Sequence, residues 1–237
     1  MENMGLYLLA LIIPLIAQIY VKSRYNKYID IENGKKISGF EVARKILDRN
    51  GLNKLYIVET KGIMTDHYDP RRKTVRLSSE VYHGTSVASV AIAAHECGHA
   101  IQDKEGYFFM KVRSLIFPIV NLGTRFAYIV LMIGLLANIM NLIWLGILLV
   151  GLGLLFQLVT LPVEFDASKK ALNELEKDVD NADFKGTKDM LNAAAMTYVA
   201  GVLSSALEIL RLILIFNNRR DWCKINVHMH LFFLYIY

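Results

Sequence analysis

Apolar residues along this chain gather into a few long runs, separated by stretches of mixed polarity. Residues 5–21 carry no charge and are about long enough to span a bilayer. Residues 116–137 and 139–159 form two more such runs, with Asn138 and Asn141 marking the turn between them. A last run covers 193–216. Runs of this kind predict transmembrane helices, because a spanning segment in lipid must satisfy its own backbone hydrogen bonds. Three charged residues interrupt the pattern. Glu208 and Arg211 are three apart on one helical face, which predicts a structural ion pair. Arg125 lies within the second run and requires a partner or a water-filled cavity.

The intervening stretch, residues 30–82, reads as a small α+β piece. Ser38 followed by Glu41 and an apolar periodicity to Leu47 predicts a capped amphipathic helix ended by Asn50-Gly51. Residues 54–59 and 73–77 alternate and read as strands, with a turn over 66–72 around Asp69-Pro70. If the 73–77 strand lies at a sheet edge, it can receive an extended peptide. Thr85 or Ser86 caps an alanine-rich helix running to about Gln102, apolar enough to be buried. Beyond Pro162, residues 163–181 read as a helix and 181–188 as a loop.

Composition agrees with a bilayer. Of 237 residues, 54% are hydrophobic, and the mean hydropathy is +0.33. Lys22, Arg24 and Lys27 follow the first run, while only Glu2 precedes it. The positive-inside rule therefore places the N-terminus outside and the next region in the cytoplasm. With no small-residue cleavage site, the first run reads as an uncleaved anchor. The net charge of +5 is assigned to topology, not to nucleic acid. Two cysteines, Cys97 and Cys223, imply no disulfide framework.

The chemistry concentrates in His95-Glu96-Cys97-Gly98-His99, an H-E-x-x-H motif. Residues i and i+4 share one helical face, so both imidazoles can reach one zinc ion. Glu96 sits beside the first ligand and can serve as general base towards a zinc-activated water. Catalytic zinc usually takes three protein ligands. Glu164, directly after the third apolar run, is the preferred third ligand. Asp166 is the alternative ligand or a supporting partner, and Glu174 the next candidate. Cys97 should point away from the metal as a small buried hydrophobe. His83, Tyr198 and Arg211 are candidate donors to the reaction's oxyanion. The aromatic tail from Trp222 to Tyr237, with His228 and His230, fits none of these patterns.

The segments Ala93–Gln102 and Leu161–Ser168 together resemble the YugP-like neutral zinc metallopeptidases, over residues 4 to about 221. Asp69-Pro70 and Thr197–Ala200 share in the resemblance. More distantly the chain is similar to HtpX-type peptidases and zinc-dependent CAAX prenyl proteases, which pair H-E-x-x-H with E-x-x-x-D. That similarity implies Glu164 as third ligand. Ser168 stands where the pattern has aspartate, so the group orienting His95 or His99 is open, with Asp166 one possibility.

Together these readings predict a mainly α membrane protein with a small α+β zincin-like cytoplasmic part and three to four transmembrane helices. Its parts are an anchor (4–21), a cytoplasmic region (22–115) holding the zinc helix (86–102), a transmembrane hairpin (116–161), a third-ligand helix (162–192), a fourth apolar helix (193–217) and an atypical tail (218–237). The expected function is a multi-pass cell-membrane endopeptidase using one Zn2+ ion, with its site at the cytoplasmic face. Its partners are the lipid bilayer and peptide or membrane-protein substrates, with no nucleic acid. The alternatives are a non-catalytic zinc-dependent scaffold or chaperone and, less favoured without visible repeats, a small transporter.

Overall fold

The computed structural model describes residues 2–217; the tail, with Arg219, Arg220, Cys223, His228 and His230, lies outside the described residues. Four long helices dominate: α1 (Glu2–Ile29), α5 (Phe108–Leu136), α6 (Met140–Leu175) and α7 (Asn181–Asn217). Each is long and apolar enough to cross a membrane. Their outward surfaces carry bare apolar side chains such as Ile16, Ile19, Leu115, Ile119 and Leu148. A water-facing surface avoids such contiguous apolar area, and a lipid-facing one requires it.

Contacts between the helices fix their directions. Near the end of α1, Arg24 and Tyr28 both donate to Asp189 near the start of α7, at 2.9 and 2.7 Å. At the other end, Ser204 donates to the Ala10 carbonyl, and the Arg211 guanidinium stacks 4.8 Å from the Tyr7 ring. So α7 runs antiparallel to α1 and is a fourth helix long and apolar enough to cross a membrane. Arg211 also grips Glu208 through two hydrogen bonds of 2.8 and 2.6 Å, and both residues are buried. The pair is therefore structural, and the charge it places in an apolar helix is compensated within one turn. Leu131, Ile143, Ile147, Leu212 and Phe216 close the bundle between the far ends of α5, α6 and α7.

At the near end lies the small polar part. Helix α2 (Gly39–Arg49) has the capping box read from Ser38 and Glu41, and it buries Val42, Ala43, Ile46 and Leu47 on one face. Strands β1 (Tyr56–Thr60), β2 (His67–Asp69) and β3 (Thr74–Ser78) form a sheet in the order β1-β3-β2. β3 pairs parallel with β1 and antiparallel with β2, so it is central. The condition for peptide addition at 73–77 is therefore not met, because both of its backbone rows are already paired. Residues 67–69, read as turn, are the strand that covers it. A one-turn helix, α3 (Ser79–His83), follows.

Helix α4 (Val87–Glu105) starts at Ser86, whose side chain accepts from the Ser89 amide, and ends at Gly106 in the left-handed conformation. It packs on α2, the sheet, α6 and α7, so fourteen of its residues are buried. Alanine and glycine suit a helix enclosed on all sides, because they let neighbouring backbones approach. Gly98 is the closest case. A Cβ there would stand 2.4 Å from the Ala167 carbonyl oxygen of α6. No side chain fits, and the absence of one brings α4 within reach of α6. Helix α6 continues through Pro162 without a break, and α7 already begins at Asn181, where the sequence reads as a loop.

Candidate metal centre

The close approach at Gly98 sets two turns of α4 against the segment of α6 that follows its apolar run. His95, His99 and Glu164 meet there, with one potential ligand atom from each lying within 4.8 Å of the others. Glu164 Oε2 is 3.3 Å from His95 Nε2 and 3.4 Å from His99 Nε2. These distances exceed the 2.7–2.9 Å of a good charge-assisted hydrogen bond. They match the edge of a tetrahedron, since ligands 2.0–2.1 Å from a zinc ion stand about 3.3 Å apart. Two edges of the donor set therefore fit zinc, and the third, between the imidazoles, lies within 4.8 Å.

The other ring nitrogens are held from behind. Gln102 Nε2 donates to the Val163 carbonyl at 2.7 Å and to Asp166 Oδ2 at 2.9 Å. Its Oε1 must then be the acceptor for His99 Nδ1, at 3.0 Å. That chain makes Nδ1 the donor to Gln102 and leaves Nε2 as the nitrogen available to a metal. His95 Nδ1 lies 3.2 Å from Ser168 Oγ. Ser168 is thus the group placed against His95, and Asp166 meets the cluster through Gln102.

The cluster favours positive charge at its centre. Burial alone would push the His99 imidazolium to lower pKa, but the hydrogen bond to Glu164 and the charges of Glu96 and Glu164 outweigh it and hold the pKa above the ordinary value. A divalent cation satisfies the same field. Arg113 of α5 donates to the outer oxygen, Glu164 Oε1, at 3.1 Å, leaving Oε2 directed at the histidines. Glu164 itself is only 2% exposed.

Glu96 is buried and does not belong to the three-residue cluster. It lines a hollow with His95 and Tyr198. Cys97 faces the other way, donating to the Ala43 carbonyl of α2 at 3.6 Å, and burial pushes its thiol well above the usual range. It is a packing residue.

The remaining candidates separate cleanly. Tyr198 reaches the site and interacts with Glu164. His83 is exposed and pairs with Glu59, while Arg211 is committed to Glu208. Glu174 pairs with Arg49 and Lys177. Sequence reasoning did not assign Gln102, Arg113 or the contact of Ser168. Gln102 left a local trace, standing three residues after His99 on the same helical face. Arg113 left none, since a basic residue beside a spanning run reads as a topology charge.

Comparison with known proteins agrees with this geometry. Residues 3–217 match the family model described as "Putative neutral zinc metallopeptidase". Over 207 residues the chain is 44% identical to "Putative membrane protease YugP" of Bacillus subtilis (strain 168), covering 86% of this chain and 92% of that one. No solved structure matches it. With nearly its whole described length matched, the chain belongs to the neutral zinc metallopeptidase family.

Proposed function

We propose that this multi-pass membrane protein is an endopeptidase that uses one zinc ion held by His95, His99 and Glu164, with Glu96 as catalytic base. The convergence of His95, His99 and Glu164 carries the reading, because three buried or half-buried donor atoms within 4.8 Å of one another suit a single metal ion. When bound, the ion supplies Lewis acidity that makes water nucleophilic near neutral pH. Glu96 accepts the proton of the attacking water and returns it to the departing amine. Tyr198, on the same hollow, offers its hydroxyl to the developing oxyanion. Ser168 and Gln102 hold the imidazoles, and Arg113 holds the outer oxygen of Glu164.

The site belongs at the cytoplasmic boundary of the bilayer. Lys22 and Arg24 of α1, Lys111 and Arg113 of α5, Lys169 and Lys170 of α6, and Lys185 and Lys188 of α7 all gather at the end of the bundle that holds it. Among the described residues, the only basic groups farther along these helices are Arg125, exposed in the middle of α5, and Arg211, paired with Glu208 near the end of α7. Such asymmetry supports that end being inside.

Full-length protein purified in detergent should contain one zinc per chain by elemental analysis and should cleave an unfolded protein substrate. Dialysis against a strong chelator should abolish cleavage, and added zinc should restore it. Zinc retained without any cleavage would instead favour the scaffold reading. Replacing Gln102 by leucine should weaken zinc affinity about 10–100-fold, the usual cost of losing a residue that orients a ligand. Competition with a chromophoric chelator measures it, and unchanged affinity would mean that packing alone holds His99.

A further inference from the structure

A hollow of about 170 Å³ opens beside the metal residues, with no residue of α5 in its lining. His95, Glu96 and Tyr198 form one side of it. The rest is walled mainly by Val21 of α1, Ile92 of α4, and Met190, Leu191 and Ala194 of α7, with Met64 at the rim. We infer that this hollow is a specificity pocket that takes a large apolar side chain flanking the scissile bond. The inference rests on the peptidase reading above and adds the class of substrate.

Position comes first. A carbonyl placed for attack beside Glu96 puts a neighbouring substrate residue at the mouth of a hollow that begins at that same carboxylate. Size comes next. A dry cavity of about 150 Å³ lined by aliphatic and aromatic side chains accommodates benzene, so this one suits the side chain of leucine or phenylalanine. Chemistry agrees, because six apolar residues line the hollow against one charged group outside the reacting centre, Asp66. Asp66 is already occupied: its Oδ1 accepts from the Ser78 amide at 2.7 Å and the Ser78 hydroxyl at 3.1 Å, and its Oδ2 lies 3.2 Å from that hydroxyl. A basic side chain would therefore compete with bonds that tie the 61–66 loop to β3.

The rim supports the same class of ligand. Ile63 and Met64, at the tip of that loop, are 74% and 51% exposed. Val21 ends the apolar run of α1, and Ala194 lies at the start of that of α7, so the pocket opens where the spanning segments meet water. An apolar residue of a substrate segment leaving the bilayer can enter there.

The test uses full-length zinc-loaded protein and a set of quenched fluorescent peptides differing at the two residues flanking one scissile bond, with cleavage sites read by mass spectrometry. Leucine or phenylalanine at one flanking position should raise kcat/KM roughly 10–100-fold over glycine, the value of burying one such side chain. Ala194→Phe, which fills the hollow, should bring that ratio close to one with zinc content unchanged. Met64→Ala, at an exposed position that does not threaten folding, should shift preference from leucine towards phenylalanine or tryptophan. Equal cleavage of leucine and glycine peptides by the wild type would overturn the pocket while leaving the peptidase reading intact. A preference for lysine would overturn it in favour of Asp66. Failure of the zinc-loaded wild type to cut any peptide or unfolded protein would remove both readings.

Discussion

Exchanging Glu96 for glutamine lowers kcat by about 10²–10⁴-fold and leaves the zinc in place, the range expected when a positioned general base is removed. Two features of the site set this expectation. Glu96 lies outside the three-residue ligand cluster, so the metal loses no donor. Glutamine also keeps the size and most of the hydrogen-bonding shape of a buried residue, so α4 has no reason to move. What disappears is the lone pair basic enough to take a proton from water. The change should therefore fall on kcat, with KM nearly unaltered, as for an interaction made only in the transition state. Single-turnover cleavage of a fluorescent peptide, beside elemental analysis of the same sample, separates the two quantities. A variant that cuts at the wild-type rate would remove Glu96 from the base role, and one that loses its zinc would make it a ligand.

How far the sequence foretold the molecule depends on how local each cause is. The long helices were legible because lipid demands an unbroken apolar run and leaves the backbone no alternative. The pairing of His95 with His99 follows from helical geometry over five residues. Glu164 could be placed because it follows the end of a run whose hairpin partner starts beside the zinc helix. Where tertiary contact decides, the pattern failed. Residues 67–69 are too short to alternate and sit beside Asp69-Pro70, which reads as a turn, yet pairing with β3 makes them a strand. Residues 181–188 are polar and glycine-containing, yet Gly186 lets α7 pack on Tyr28 and Val87, and Asp189 locks the helix to α1. Such packing overrides a weak local propensity. The roles of Gln102, Ser168 and Arg113 depend on the approach of α4 to α6 at Gly98 and Ala167, a contact between residues far apart in sequence. Gly98 carries the cause openly, but only the fold says which backbone it accommodates.

Replacing Glu164 by alanine should have the largest effect on the metal, a loss of zinc affinity well beyond roughly 100-fold. Groups that merely orient a ligand are worth about 10–100-fold, and Glu164 in the proposed site is a ligand itself. Its removal also changes the charge balance. Glu164 is the acceptor for Arg113 and the acidic partner of both imidazoles. Without it, an incoming dication meets two neutral nitrogens and a nearby guanidinium, whose charge now opposes it. Glutamine at 164 keeps the volume but not the anion, so Glu164→Gln should also lose most of its zinc, which separates charge from packing. Asp166→Ala, acting only through Gln102, should stay within about 100-fold, and Glu174→Ala should bind zinc as the wild type does. Chelator competition on the four purified variants ranks them directly. Full zinc retention in Glu164→Ala would exclude the assigned third ligand, and a larger loss in Asp166→Ala would move the metal towards the other carboxylate.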